Sequence, residues 1–445
     1  MKVPRCFRGR NIVAAAAVGL LAGMVGHAQP DRSVLLVGIA RGKAQIRVSA
    51  DGPFAIMEPN RDKWRPFEDP QTITLDWVRG SGTLVHKQGA GVFSFEEMQG
   101  ARITLITESG EREELEAPLH IMPRGASHLK YLDAAAGGAA SYRGDFQVFV
   151  QPAGMTLVNM VGIEDYLRGV VPCEMSKRYP AEALKAQAVA ARSYALAAGD
   201  RHQGQGFDLC DYEHCQVYRG ISSETPATNQ AVEETRGEVL TCNGRVLAAP
   251  YSAVCGGFTE EPAGGNSCLH SQPDFDEALG LNMRPPTGED EWRAFFKQAP
   301  PANCCQPKWC PLDRFRWVEV RRRDELEKSL ADVVNVGTLL SLRPLERGRS
   351  GRITRLEVRG ARGRSVLSPE LVIRKALGGL KSSAFVADAF AEGDAPPVVF
   401  VFWGAGMGHG AGMCQVGAAG QAEKGKSYRE ILKWYFPDCT LERKY

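Results

Sequence analysis

Residues 170–196 read VVPCEMSKRYPAEALKAQAVAARSYAL. The stretch changes character at Pro180. After it come Ala, Leu, Glu, Lys, Gln and Arg, the residues that lose least on entering a helix. Pro180 suits a first-turn position, Glu182 complements the N-terminal end of the helix dipole, and Gly199 supplies a stop. Before it, VVP reads as a short apolar strand, which places Glu174 at a strand-to-helix corner. A carboxylate between Cys173 and Met175 is costly to bury unpaired. Glu174 therefore either faces water or is used. Partial burial beside Val170, Val171 and Met175 would raise its pKa, as a general acid needs. Lys185 and Arg192 are seven apart and fall on one stripe of the helix. A solvated face and a pair of cations aimed at a ligand both fit that spacing.

Upstream, the residues from 33 to 125 alternate polar and apolar in short β-branched runs separated by glycine: SVLLVGIARGKAQIRVSA, TITLDW, GTLVH, GVFSF and ARITLITE. This predicts an all-β region over 29–128 with no visible chemistry. Residues 129–445 form the second, larger part. Within it, Asn243-Gly244 marks a hairpin turn. Residues 262–311, rich in Pro and carrying Cys268, Cys304, Cys305 and Cys310, read as a loop insertion. A helix is expected over 323–332. Ser427 and Glu430 form a capping box before ILKWYF, which Pro437 ends.

The 445-residue chain opens with Lys2, Arg5, Arg8 and Arg10, an apolar run from Ile12 to Val25, and the small residues Gly26 and Ala28. That is the layout of a secretory signal peptide over 1–28, with an uncleaved anchor as the other reading. A periplasmic or extracellular location follows. No later stretch reaches the roughly 18 apolar residues of a membrane span. A net charge of +2 gives no case for nucleic acid. Of 12 cysteines, one (Cys6) lies in the leader. The remaining number is odd, so at least one stays free, binds metal or pairs between chains. Sequence alone does not pair Cys242, Cys255, Cys268, Cys304, Cys305, Cys310, Cys414 and Cys439.

Two further clusters carry chemistry. His202, Cys210, His214 and Cys215 lie within fourteen residues, and tetrahedral zinc takes such sets. A Cys210–Cys215 disulfide fits the same residues. The stretch WGAGMGHGAGMCQVGA, residues 403–418, has glycine at 404, 406, 408, 410 and 412. It lacks the Lys-Ser/Thr of a phosphate loop. Either its backbone approaches a ligand closely, with His409 and Gln415 as polar contacts, or it is a tight structural turn.

At this point the chain resembles the SpoIID/LytB family of exported bacterial cell-wall proteins. The resemblance rests on YRGDFQVFVQPAGMTLVNMVGIEDYLRGVVPCEMSKRYPAEALKAQAVAARSYAL, CDYEHCQVYRG, PYSAVCGGFTEE and WGAGMGHGAGMCQVGA. More loosely, it extends through RGRSGRITRLEVRG and the IRKALG and LKSSAF stretches. It implies a lytic transglycosylase acting on peptidoglycan glycan strands. The family's catalytic acid falls on Glu174, and its Lys and Arg on Lys185 and Arg192. The resemblance also implies zinc, most simply structural, at His202, Cys210, His214 and Cys215. Cys173 and Cys414 stand where the family pattern leads us to expect serine or another small residue.

The resemblance also accounts for a lone carboxylate. Most glycosidases use two. A lytic transglycosylase lets the C6 hydroxyl of the muramic acid attack C1 of its own sugar, giving a 1,6-anhydro product. Intramolecular attack supplies the proximity a second protein group would otherwise give. Glu174 would protonate the glycosidic oxygen and then take the C6 hydroxyl proton. Two other classes remain: a non-catalytic wall-binding enhancer of an amidase, and a zinc-dependent amidase with an open metal site. The expected fold is α+β, mainly β, with a few helices around a substrate groove.

Overall fold

A computed structural model of the chain describes residues 33–88, 94–134, 138–197, 201–262, 267–275 and 283–445. The expected leader at 1–28 and the expected helix stop at Gly199 lie outside the described residues. Among the described residues strand makes up 39% and helix 24%, so the α+β, mainly β expectation holds. Among the described residues no helix is long and apolar enough to cross a membrane.

The chain divides into two compact units. One comprises residues up to Ala139 with Gly144–Gly162 and Gly199–Cys210. The other comprises Ala140–Arg143, Ile163–Ala198 and Asp211–Tyr445. The first unit therefore does not end near residue 128, as the sequence boundary had it. The reason is strand pairing: Val34–Lys43 runs antiparallel to Gly154–Gly162, which runs antiparallel to Asp145–Gln151. A seven-stranded sheet results, in the order Leu209–Cys210, Val34–Lys43, Gly154–Gly162, Asp145–Gln151, Leu119–Pro123, Phe54–Glu58 and Lys63–Phe67. Alternation sets its inner face, as in Leu119 and Ile121, or Phe146 and Val148, all buried. In a second sheet Gln45–Ala50 pairs with Thr72–Trp77, which pairs with Arg102–Thr107. Its buried side is Ile46, Val48, Ile73, Leu75, Ile103 and Leu105.

The second unit begins with two helices, α1 over Ile163–Glu174 and α2 over Ala181–Ala197. In α1 the buried residues Ile163, Tyr166, Leu167, Val170 and Val171 recur at helical spacing. VVP is thus the last turn of a helix and not a strand. Pro172 removes one backbone donor late in that helix, and the N–H of Met175 still closes on Val171 O at 2.9 Å. Helix α3, Pro226–Glu234, is capped by Thr225 with Pro226 in its first turn. The Asn243-Gly244 hairpin forms between Glu238–Cys242 and Arg245–Val246, both turn residues having positive φ. The Ser427 capping box forms as expected and starts the helix Tyr428–Tyr435.

The described residues of the 262–311 segment are not all loop. They include the helix Glu289–Lys297, whose Trp292, Phe295 and Phe296 are buried. Their i, i+3, i+4 spacing is the signal that the surrounding prolines obscured. One disulfide forms among the described residues, Cys242–Cys268. Farther on, the expected helix appears as Arg323–Leu330, joined by a second at Glu370–Ala376 that carries the IRKA residues. With the sheets around them they enclose a core of Leu326, Leu330, Leu356, Val358, Ile373 and Phe402.

Candidate active site

Glu174 closes α1, so its carboxylate lies at the negative end of that helix, where ionisation is disfavoured. Its Oε1 accepts the N–H of Val217 at 3.0 Å. The side chains of Gln415 and Tyr251 also hydrogen-bond to it. Burial pushes the Glu174 pKa above its ordinary value of 4.5, the charge of Glu213 adds to this, and the three hydrogen bonds oppose it without cancelling it.

The groups around Glu174 are themselves held. Gln216 Nε2 donates to Tyr251 Oη at 2.8 Å and to Ala191 O at 3.3 Å, and Tyr166 Oη donates to Gln216 Oε1 at 3.2 Å. Gln415 Nε2 donates to Gln187 Oε1 at 3.2 Å. Tyr251 thus receives one hydrogen bond from Gln216 and has its own proton for Glu174. Sequence reading missed Tyr251, Gln216, Gln187 and the Val217 N–H. Tyr251 sits in the quoted PYSAVCGG stretch, but nothing local marked it as polar machinery.

Other expected contacts come out differently. Arg192 is 0% exposed and bidentate to Glu164, with Nε on Oε1 at 2.8 Å and Nη2 on Oε2 at 2.7 Å. It also donates to Glu238 O and Val232 O. That corrects the substrate role expected of it: every nitrogen of its guanidinium is engaged by protein. Burial works against ionised Glu164, but Arg192, Tyr445 and the Gly237 N–H outweigh it, and its pKa stays below the ordinary value. Lys185 is paired with Glu182 at 2.9 Å and Glu234 at 2.6 Å. Gln415 holds Glu174, so its contact with a ligand would be indirect.

Of the two readings of the glycine block, the contacts of Gly410 and Gly412 fit the tight structural turn. A Cβ on Gly410, whose φ is +76°, would stand 2.3 Å from the Arg352 guanidinium, and one on Gly412 would stand 2.0 Å from Pro250 O. These glycines let protein pack on protein. His409 presents an edge to solvent while its Nδ1 accepts the Ala411 N–H at 3.0 Å. Desolvation and the nearby Arg352 charge push its pKa down, so the ring is neutral at pH 7. Gly410→Val is therefore expected to lower stability by roughly 2–4 kcal/mol, from left-handed strain plus displacement of Arg352. Chemical denaturation measures this, and a variant as stable as wild type would overturn the packing account.

Of the four expected zinc ligands, His202 and Cys210 belong to the first unit and His214 and Cys215 to the second. Cys215 Sγ and His214 Nδ1 are 3.6 Å apart. Ligands at the usual zinc distances stand about 3.3–3.8 Å from each other. His202 Nδ1 lies 3.1 Å from Gln205 Oε1, which fixes Nδ1 as the donor and leaves the lone pair on Nε2. Two imidazoles and two thiols are a donor set that zinc takes, and the His214–Cys215 spacing fits it.

A family model described as Stage II sporulation protein matches residues 151–242, and one described as a domain of unknown function matches 266–412. An uncharacterized protein of Brachyspira hyodysenteriae is 31% identical over 289 residues, which cover 63% of this chain and 67% of that one. The amidase enhancer of Bacillus subtilis is 29% identical over 292 residues, 62% of this chain and 40% of its own length. Stage II sporulation protein D of Bacillus subtilis is 28% identical over 302 residues, 64% and 75% of the two chains.

Proposed function

The chain belongs to the SpoIID family, and from that premise we propose that it is an exported peptidoglycan lytic transglycosylase with Glu174 as its acid and then its base. One observation carries this reading. Glu174 is a desolvated carboxyl with a raised pKa, held in place by Val217, Gln415 and Tyr251. A carboxyl that holds its proton to higher pH than an ordinary glutamate is suited to donate to a glycosidic oxygen. Once ionised, it is stabilised by the same three donors and accepts the C6 hydroxyl proton as the 1,6-anhydro bond closes. Tyr251 and Gln415 act as positioning residues.

His202, Cys210, His214 and Cys215 would hold a zinc ion in a closed, structural set. When bound it would organise the loop whose end, at Gln216 and Val217, hydrogen-bonds around Glu174. A closed set leaves no coordination position for the water an amidase needs.

A second reading is that the chain enhances a partner amidase without cutting glycan, since one relative of similar identity is named for that role. The test is to digest purified peptidoglycan with the full chain and read the products by mass spectrometry. Anhydro-muramyl ends are expected. Reducing muramic acid ends would overturn the transglycosylase reading and direct attention to Glu213, the exposed carboxylate whose charge acts on Glu174. Intact glycan, with faster release of stem peptide when an amidase is added, would establish the enhancer.

A further inference from the structure

Four side chains from four separated parts of the second unit meet in its core: Cys255, Asp274, Cys304 and Cys414. One ligand atom of each lies within 4.8 Å of the others, and all four are buried. Cys255 Sγ is 3.6 Å from Cys304 Sγ and 3.3 Å from Asp274 Oδ2. A tetrahedral ion with Zn–S of about 2.3 Å and Zn–O of about 2.0–2.2 Å sets ligand edges at about 3.5–3.8 Å. We infer that Cys255, Cys304, Cys414 and Asp274 form a second metal centre, for a soft tetrahedral divalent cation such as zinc, separate from the His202–Cys215 set.

Backbone N–H groups point at two of the three sulfurs, Cys414 and Cys255. Cys414 caps the helix Gln415–Glu423, and its sulfur accepts the N–H of Gly417 at 3.4 Å and of Cys255 at 3.2 Å. Cys255 Sγ accepts the N–H of Gly257 at 3.4 Å. N–H groups and a helix N-terminus aimed at sulfur favour the deprotonated form that binds metal. Asp274 Oδ1 accepts from Tyr435 Oη at 2.7 Å, the kind of outer hydrogen bond that orients a carboxylate ligand. Among the described residues no Lys, Arg or His forms an ion pair with Asp274. Gly417 leaves room for this approach, because a Cβ there would stand 2.6 Å from Asp274 Oδ2.

An independent observation is the buried charge nearby. Three thiolates and a carboxylate around a divalent ion leave two net negative charges. Arg316 donates to Gly256 O and Phe315 O through Nη1 and to Gln298 O through Nε, all neutral acceptors, and its buried Nη2 has no partner. The acidic groups acting on it electrostatically are the thiols of Cys304, Cys255 and Cys305. Arg352, 1% exposed, donates to Cys255 O at 3.2 Å. The two guanidiniums thus hold adjoining carbonyls at the ligand Cys255. A disulfide between two of the thiols would leave the third and Asp274 without a purpose, and would take from Arg316 the acidic groups that act on it, whereas Arg352 also has Glu260 and Glu370. On binding, each thiol releases its proton to solvent as its sulfur becomes a ligand.

The experiment is metal analysis of full chain purified without chelator, as wild type, Cys215→Ser and Cys304→Ser, with folding checked by circular dichroism. Cys215→Ser should retain one metal ion per chain, and folded Cys304→Ser should hold one fewer than wild type. If Cys304→Ser does not fold, Cys215→Ser reconstituted with cobalt(II) decides. Strong thiolate-to-cobalt charge transfer with tetrahedral visible bands is expected. A metal-free Cys215→Ser chain, a cobalt spectrum without thiolate bands, or a disulfide joining any two of Cys255, Cys304 and Cys414 in the non-reduced peptide map would each overturn the proposal. Loss of glycan cleavage alone does not bear on it.

Discussion

Glu174→Gln is expected to slow glycan cleavage by about 10²–10⁴-fold while leaving the fold intact. The amide keeps the shape of the carboxyl but has no proton to give and no charge to take one up. Val217, Gln415 and Tyr251 meet the side chain from several directions, so an isosteric replacement keeps the site assembled. The stability effect has a definite sign. Glu174 holds its proton more tightly folded than unfolded. Its favourable contribution is fully present below the unfolded value near 4.5 and is lost as pH rises through the higher folded value. The variant should therefore gain melting temperature relative to wild type as pH rises through that window. Activity of the wild type should fall on its alkaline side, where the acid is already ionised. Muropeptide analysis and melting curves across pH read both halves. A fully active variant would remove Glu174 from the mechanism, and a difference in melting temperature that does not vary with pH would contradict the raised pKa.

Legibility followed the range of the interactions. Local patterns were readable: the alternation in Gln45–Ala50, the Asn243-Gly244 turn, the capping box at Ser427 and the helix after Pro180. Glu174 also stood out locally, because a carboxyl between Cys173 and Met175 needs a reason. The surroundings of Glu174 were not readable. Val217 lies 43 residues away, and Gln415 reaches Gln187 across 228. Pro172 concealed the end of α1, since a proline after two valines reads as a strand end. The glycine spacing at 404–412 correctly signalled close approach but not what approaches, which is Arg352 at Gly410 and Pro250 at Gly412. Cysteine counting raised metal and disulfide together, and only the fold separates Cys242–Cys268 from the thiols that gather around Asp274.

Arg192→Ala is expected to destabilise the second unit by about 3–5 kcal/mol, the cost of leaving a buried carboxylate without its partner. Helical spacing placed Arg192 on a stripe with Lys185, but a stripe does not reveal whether it faces solvent or core. The deciding partner, Glu164, lies 28 residues earlier, at the start of α1. Arg192 joins the two helices and also reaches Val232 O at the end of α3 and Glu238 O at the start of the next strand. Removing it breaks two charge-assisted bonds to Glu164, while Gly237 N–H and Tyr445 Oη remain on that carboxylate. Arg192→Lys should be only a partial rescue, because a point charge cannot reproduce the bidentate fork. Lys185→Ala serves as the contrast. Its pairs with Glu182 and Glu234 are partly exposed, and such pairs contribute about 0–1 kcal/mol. Denaturant midpoints for the three variants measure the ordering. An Arg192→Ala chain as stable as Lys185→Ala would show that the buried pair does not join α1 to α2. An Arg192→Ala chain of wild-type stability that no longer cleaves glycan would return Arg192 to the substrate.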